Sequence, residues 1–462
     1  MKFLKISLAA SLALGALSTA SFAQPLEEAI KGVDVSGYLR YRYTDDRYDN
    51  AGFNRDSLGG SNARHQWRAE ADFKTPTINN VAMNLGVFYK NENQNVNHGK
   101  NGPDDNANGV INGTGNALGA GQDSDFGVSQ FYMTITPDST ATTILIGKQK
   151  LGTPVTNPGD GDRGTGILAL NSDIPGLTLA AGAFDSWAID DATSTLGNEY
   201  SVDKPLYTLA AIYGVDTSIG NIGAQVWGFM VDDIIDAMIY SELSWKHSVF
   251  NASLQYGYAK IQSGLEERAG NHGQLSKLAA DVADTNDLLN LRIGANFKEY
   301  NVPLGIQLGY LTNFQDGTTV SVDDEGAWTP SIGGKIWWQN SATGVTFGLM
   351  KNMLGMGTPW GQETDLSVFH GVIDYTFLDG RFKIGLEGAF GENERTDSVT
   401  GATTYKTKFT EITPTVSWKH SKNLTISGFY AMLSTERDTP AYAVTENDED
   451  RNRARVEVKY TF

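Results

Sequence analysis

Arginine recurs at alternate positions near both ends of the sequence. Arg40 and Arg42 lie early, Arg64 and Arg68 follow, and Arg451, Arg453 and Arg455 lie late. A spacing of two places such residues on one face of a β-strand. A guanidinium stays charged at any ordinary pH and presents a planar fork of donors. A row of them orients and filters polar solutes; it does not shuttle protons. Between the two ends, Asn157-Pro158-Gly159-Asp160-Gly161-Asp162-Arg163 sets two carboxylates beside another arginine. An acidic segment opposite a basic wall would create a transverse field across a narrow aqueous passage. The candidate constriction residues are therefore Arg40, Arg42, Arg64, Arg68, Arg453, Arg455, Asp160, Asp162 and Arg163, with Arg451 on the same face. A plainer reading puts several of these arginines at the rims, paired with nearby carboxylates. Asp160 and Asp162 also match the alternating oxygen ligands of a calcium loop. No bidentate Glu follows, so calcium is an optional ligand, a solvated turn is the simpler account, and no cofactor is required.

Other chemistry finds little support. There is no cysteine, which excludes disulfides and thiolate metal sites. No G-x-S-x-G, H-E-x-x-H or phosphate-binding loop appears. The six histidines are scattered: His247 and His420 at short turns, His98 and His272 in polar stretches, His65 and His370 elsewhere. The chain is not expected to be an enzyme. A formal net charge of −18 argues against a nucleic-acid partner, which needs a basic face.

The elements that would carry these residues alternate strictly. In Val33–Tyr43, Val35, Leu39, Tyr41 and Tyr43 share one face, and Ser36, Tyr38, Arg40 and Arg42 the other. Arg64–Lys74 repeats the plan, with Trp67, Ala69, Ala71 and Phe73 opposite Arg64, Arg68, Glu70 and Asp72. Ala454, Val456, Val458, Tyr460 and Phe462 alternate with Arg453, Arg455, Glu457 and Lys459. Short joints fall at 75–80, 137–141, 171–176, 216–221, 246–249, 298–301, 339–344, 378–380 and 420–422. Long polar stretches fall between them, at 91–125, 185–204, 262–287, 313–329, 391–406 and 435–450. Short and long connections thus alternate, as in a membrane barrel whose ends face the periplasm and the exterior. Trp245, Trp418 and Trp337-Trp338 lie beside short joints, where an interfacial aromatic girdle would sit.

A soluble sandwich would turn the apolar faces inward; an outer-membrane barrel turns them to lipid and encloses the charged faces around water. Mean hydropathy is −0.30, too polar for a helical membrane protein and compatible with a barrel. The expected fold is an all-β transmembrane antiparallel β-barrel. Nine short joints and two terminal strands make 20 strands by pattern; if Ile332–Met350 lies within an outer loop, the count is 18. Residues 1–23 read as a signal peptide: Lys2 and Lys5, an apolar run under the ~18 residues of a span, then Ser21-Phe22-Ala23. The remainder, 24–462, reads as one barrel domain in the outer membrane.

Three stretches carry a resemblance. Pro25–Tyr43 (P-L-E-E-A-I-K-G-V-D-V-S-G-Y-L-R-Y-R-Y), Ile146–Leu151 with Gly164-Thr165-Gly166, and Ser172–Ala181 running into Phe184-Asp185-Ser186 closely resemble the Campylobacter-type major outer membrane protein family. The terminal Phe462 fits as well. The resemblance implies an 18-stranded general porin that assembles as a homotrimer. It also implies that the third outer loop, here about Lys150–Gly164, folds into the channel, and that Ile332–Met350 belongs to a loop.

These features lead to the expectation of a general diffusion porin. It would pass small hydrophilic solutes and ions, with a mild cation preference from the negative balance. Outer-membrane lipid and lipopolysaccharide would surround it; the acidic runs Asp323-Asp324-Glu325 and Glu446–Asp450 read as solvated outer-loop surface, which could alternatively bridge lipopolysaccharide phosphates through divalent cations. Two alternatives are a surface adhesin or structural barrel acting through its loops, and a substrate-specific channel. The latter needs an aromatic track in the lumen, for which Tyr38, Phe88 and Tyr132 have the right parity.

Overall fold

The computed structural model describes residues 32–48, 61–97, 125–159, 161–188, 204–262, 282–323, 325–349, 356–438 and 447–462. The expected leader at 1–23 and Asp160 lie outside the described residues. Eighteen antiparallel strands close into one barrel. In chain order they are β1 Asp34–Tyr48, β2 Ser61–Lys74, β3 Val81–Asn97, β4 Asp125–Ile135, β5 Thr142–Lys150, β6 Arg163–Asn171, β7 Leu177–Ala188, β8 Leu206–Thr217 and β9 Gly220–Val231. They continue with β10 Ile235–His247, β11 Phe250–Ile261, β12 Thr285–Asn296, β13 Leu304–Thr312, β14 Gln362–Phe377, β15 Phe382–Asp397, β16 Thr403–Lys419, β17 Leu424–Asp438 and β18 Asn447–Thr461. Each strand pairs with its neighbours in sequence, and β18 returns to β1, with Arg40 opposite Lys459 and Arg42 opposite Glu457. Among the described residues no helix is long and apolar enough to cross a membrane.

Local chemistry accounts for the joints. Asn79 and Asn80 both adopt positive φ, 50° and 68°, the backbone of the tight hairpin turn that matches strand twist. Asn301 caps the 297–300 turn in the left-handed conformation. Eight of the nine expected short joints connect adjacent strands. The ninth, 339–344, does not. It forms a small turn in which Asn340 bridges Val345, within the connection from β13 to β14. The count is therefore 18, not 20.

Alternation works as the inverted pattern requires. Leu39 is 53% exposed, Val456 47% and Phe369 62%, while Arg40, Arg68 and His370 on the opposite parity are buried. The outward apolar residues form the band a bilayer would cover. One polar stretch was not a loop. Of 391–406, only 398–402 turns; the rest extends β15 and β16. Strands that project past the lipid meet water on both faces, so their outer portions carry no apolar alternation.

Among the described residues two loops enter the lumen, where one was expected. The short loop, 151–162, is pinned by Leu151, Val155, Thr156 and Asp162, all buried. The long one, 313–361, brings Trp328, Trp337, Trp338 and Phe347 into a dry cluster. They pack on the inner face of β10 to β17, on Leu288, Leu366, Val368, Phe409 and Leu433. Trp337 stacks on Phe409 at 5.5 Å and Trp328 meets Tyr240 edge-on at 5.5 Å. The two loops also join. Backbone amides of Val322 and Asp323 donate to the Val155 carbonyl, each at 3.0 Å, and that of Ala327 to the Pro154 carbonyl at 2.8 Å. Gly326 sits at φ +40°, and a Cβ there would lie 2.4 Å from the Pro154 carbonyl oxygen, so the junction requires glycine.

Candidate constriction of the lumen

The β18–β1–β2–β3 wall is the charged one. Lys459, Arg40, Arg68 and Lys90 stand in register on four successive strands. Aromatic rings lie beside this row. Lys459 Nζ is 4.6 Å from the Tyr38 ring centroid, and the Phe88 ring lies 5.8 Å from the Arg68 guanidinium and 6.0 Å from Lys90 Nζ. Such faces attract cations and keep them extended. Toward the far end of β1, Arg42 pairs with Glu457 at 2.9 Å. Arg453 pairs with Asp46, and Arg455 donates to the Thr44 hydroxyl at 3.3 Å and lies over the Phe429 ring. Arg64 is opposite Thr44 on β2; its side chain lies outside the described residues. Arg451 pairs with Glu449 at 2.7 Å and reaches the Ser341 hydroxyl of the long loop at 3.2 Å.

A compact charge knot roots the short loop. Glu70 and Asp72, two apart on β2, both face Lys150 at the end of β5, at 2.7 and 3.1 Å. Arg163, the first residue of β6, comes within 3.6 Å of Glu70, and Arg68 within 3.8 Å. Gln130 of β4 donates to Asp72 at 2.7 Å. Arg163 also donates to the carbonyls of Ser129, Pro158 and Asp162, at 2.8, 2.9 and 2.8 Å. The loop therefore leaves and re-enters the wall through paired charges: Lys150 and Asp72 stay partly open, while Glu70, Arg68 and Arg163 are nearly dry, where loss of one partner is costly.

The expected constriction residues thus form groups and not one ring. Arg40 and Arg68 share the in-register row, Arg42, Arg453 and Arg455 follow it along the β1–β18 seam, and Arg163 joins the Glu70 knot. Asp162 does not look across the lumen; its Oδ2 accepts the Asn157 amide at 2.8 Å within its own loop. Of the two candidate calcium ligands, Asp160 lies outside the described residues and Asp162 is turned onto a backbone amide; among the described residues no three or more His, Cys, Asp or Glu side chains cluster. Sequence reasoning missed Glu70, Asp72 and Lys150 as site residues. Their signal was present: Glu70 and Asp72 share lumen parity with Arg68. It also missed the long loop's attachments, where Arg395 and Arg437 flank the Tyr405 ring at 4.5 and 4.3 Å and donate to loop carbonyls.

Solved structures share this architecture. OpdK of Pseudomonas aeruginosa, in its structure with vanillate, is 13% identical over 93% of this chain and 99% of its own, with a TM-score of 0.58. OpdQ of the same organism is 13% identical over 94% and 100%, TM-score 0.56. OccAB4 of Acinetobacter baumannii is 13% identical over 93% and 98%, TM-score 0.56. At such identity the likeness is one of fold. Curated proteins offer no sequence match. The family model described as Campylobacter major outer membrane protein matches residues 1–460. The closed 18-stranded barrel agrees with that match: the chain belongs to the Campylobacter major outer membrane protein family, and its place is the bacterial outer membrane.

Proposed function

We propose that the barrel is a general diffusion porin through which small hydrophilic solutes and ions cross the outer membrane. The observation that carries this is the seam wall: charged side chains on four adjacent strands face an interior that the long loop covers on the other side. The net charge of −18 concentrates cations at the mouths and gives a mild cation preference. Reconstitution in planar bilayers tests it. Conductance steps that close progressively to larger neutral sugars are expected; silent bilayers holding folded protein would overturn it.

A second reading draws on the row Lys459, Arg40, Arg68 and Lys90 with Tyr38 and Phe88 beside it. Cations flanked by rings suit small aromatic or aliphatic carboxylates, and OpdK, of the same fold, is seen with vanillate. A reversal potential in a salt gradient separates the two: cation preference supports the first, anion preference with saturable carboxylate block the second. The wider proposal includes a homotrimer within outer-membrane lipid and lipopolysaccharide, and removal of residues 1–23 as a signal. Calcium on Asp160 and Asp162 would stiffen the short loop, so chelation would raise current noise; no step of permeation is routed through it.

A further inference from the structure

The long loop touches the wall over several strands, and one attachment differs from the others. Glu411 of β16 is fully buried. Its Oε1 accepts the Lys335 amide at 2.5 Å and the Thr413 hydroxyl at 2.6 Å; its Oε2 accepts the amides of Ile336 and Trp337 at 3.0 and 2.8 Å. Three successive backbone N–H groups converging on one anion make a nest, and hydrogen bonds to an ionised acceptor are about twice as strong as neutral ones. Alongside, the Gly333 amide donates to His370 Nδ1 at 3.2 Å. A Cβ at Gly333 would lie 2.4 Å from the Gly371 carbonyl oxygen and 2.7 Å from that of Gly388. The segment is therefore flush with the wall. Lys335 extends past the nest to Glu387 at 2.8 Å.

We propose that Glu411 is a positioning residue that sets the bore: its carboxylate holds residues 333–337 against β14 to β16, and without that anion the segment swings into the lumen. This rests on the channel reading above. Glutamine at 411 would keep the shape but offer a single oxygen and turn its own N–H groups toward the loop amides.

The experiment is Glu411→Gln in the full-length chain, recorded in planar bilayers beside the unaltered protein. The barrel should still assemble, judged by its heat-modifiable mobility in gels. Its current should gain brief closures, with the occupied fraction of the low-conductance state rising about tenfold or more, the worth of one charged hydrogen bond. Unchanged traces would overturn the proposal. Trypsin cleavage after Lys335 reads the same segment without any current, and should accelerate by a similar factor in Glu411→Gln. If the unaltered chain is silent in bilayers, the channel reading fails while proteolysis still judges the latch. Glu387→Gln removes the neighbouring ion pair and leaves the nest; it should add no closures, and closures equal to those of Glu411→Gln would refute the assignment. In a chain whose residues 332–338 are replaced by glycine and serine, Glu411→Gln should change nothing further; an added effect would show that Glu411 acts elsewhere. Should Glu411→Gln fail to assemble, Glu411→Asp, which keeps the charge and withdraws its reach, should show the same closures at a lower rate, and their absence would count against the latch.

Discussion

Arg40, Arg42 and Lys459 on one side of the lumen, and Leu366, Val368 and Phe409 on the other, occupy the same inward parity of the same kind of strand. In the first group Arg42 and Lys459 stay partly open to the interior and are tied by an ion pair and a ring contact, and Arg40 is buried between charged neighbours. The second meets the long loop and is dry. The face of a barrel strand therefore does not fix its chemistry; what lies against it does. Where a loop covers the wall, the inward residues behave as a protein core, while the outward residues beside them still face lipid. β14 carries apolar side chains in both directions for that reason.

Substitutions can break or sharpen this contrast. The largest effect should come from Trp337→Ala, which removes a ring packed on Phe409 and costs about 3–5 kcal/mol, as for core aromatics. Arg42→Ala, at a pair still partly open to water, should cost under about 1 kcal/mol. Urea unfolding in detergent compares them, and equal losses would erase the distinction between the walls. Next, Val368→Lys and Phe369→Lys should be similarly harmful, about 2–4 kcal/mol as for a charge on the lipid face, although one points inward and the other outward. A tolerated lysine at 368 would mean that the covered wall is wet. A smaller effect is expected in selectivity. Arg40→Ala or Lys459→Ala removes one cation from the seam row, worth about 1 kcal/mol at contact range in water. The reversal potential should move toward cations by a several-fold permeability ratio, whereas Lys335→Ala on the loop should move it less. The smallest effect belongs to a turn on neither wall. Hydrogen bonds from the Thr140 hydroxyl, the Asn171 amide and the Ala141 backbone hold the Asp173 carboxyl below the usual carboxylate range. Its contribution is present above the unfolded carboxylate pKa and is lost as pH falls through the lower folded value. Asp173→Asn should remove that slight acid dependence from thermal unfolding curves, and an unchanged pH profile would show that the turn does not contribute.

The sequence displayed the barrel well because lipid enforces period two over its whole outer surface. Leu39, Val456 and the other outward residues declared themselves, and turn residues such as Asn79-Asn80 marked the joints. The covered wall was harder to read. W-W-Q-N-S-A-T-G does make a tight turn, with Asn340 against Val345, so the local signal was real; but its flanks form no β-ladder with the barrel strands and meet the wall through side chains instead. The cue lay in β14, where Leu366 and Val368 break the polar inner face. At the constriction, parity gave the face of Arg40, Arg42 and Arg68 but not their partners. Glu70 meets Lys150 across 80 positions of chain because their side chains reach toward each other from β2 and β5, past β3 and β4, and no local pattern encodes that.

The seam has a consequence for assembly. Arg42 and Glu457 are 415 positions apart, and the amides and carbonyls of Gly37 and Phe462 complete the hydrogen-bonded ring. Pairing over such a separation is entropically late and slow. Until it forms, an open sheet would carry two bare edges and a row of guanidinium groups toward hydrocarbon, which neither tolerates. Insertion and circularisation must therefore proceed together, and the cell has to keep the whole polypeptide unaggregated in the periplasm until its first and final strands can meet.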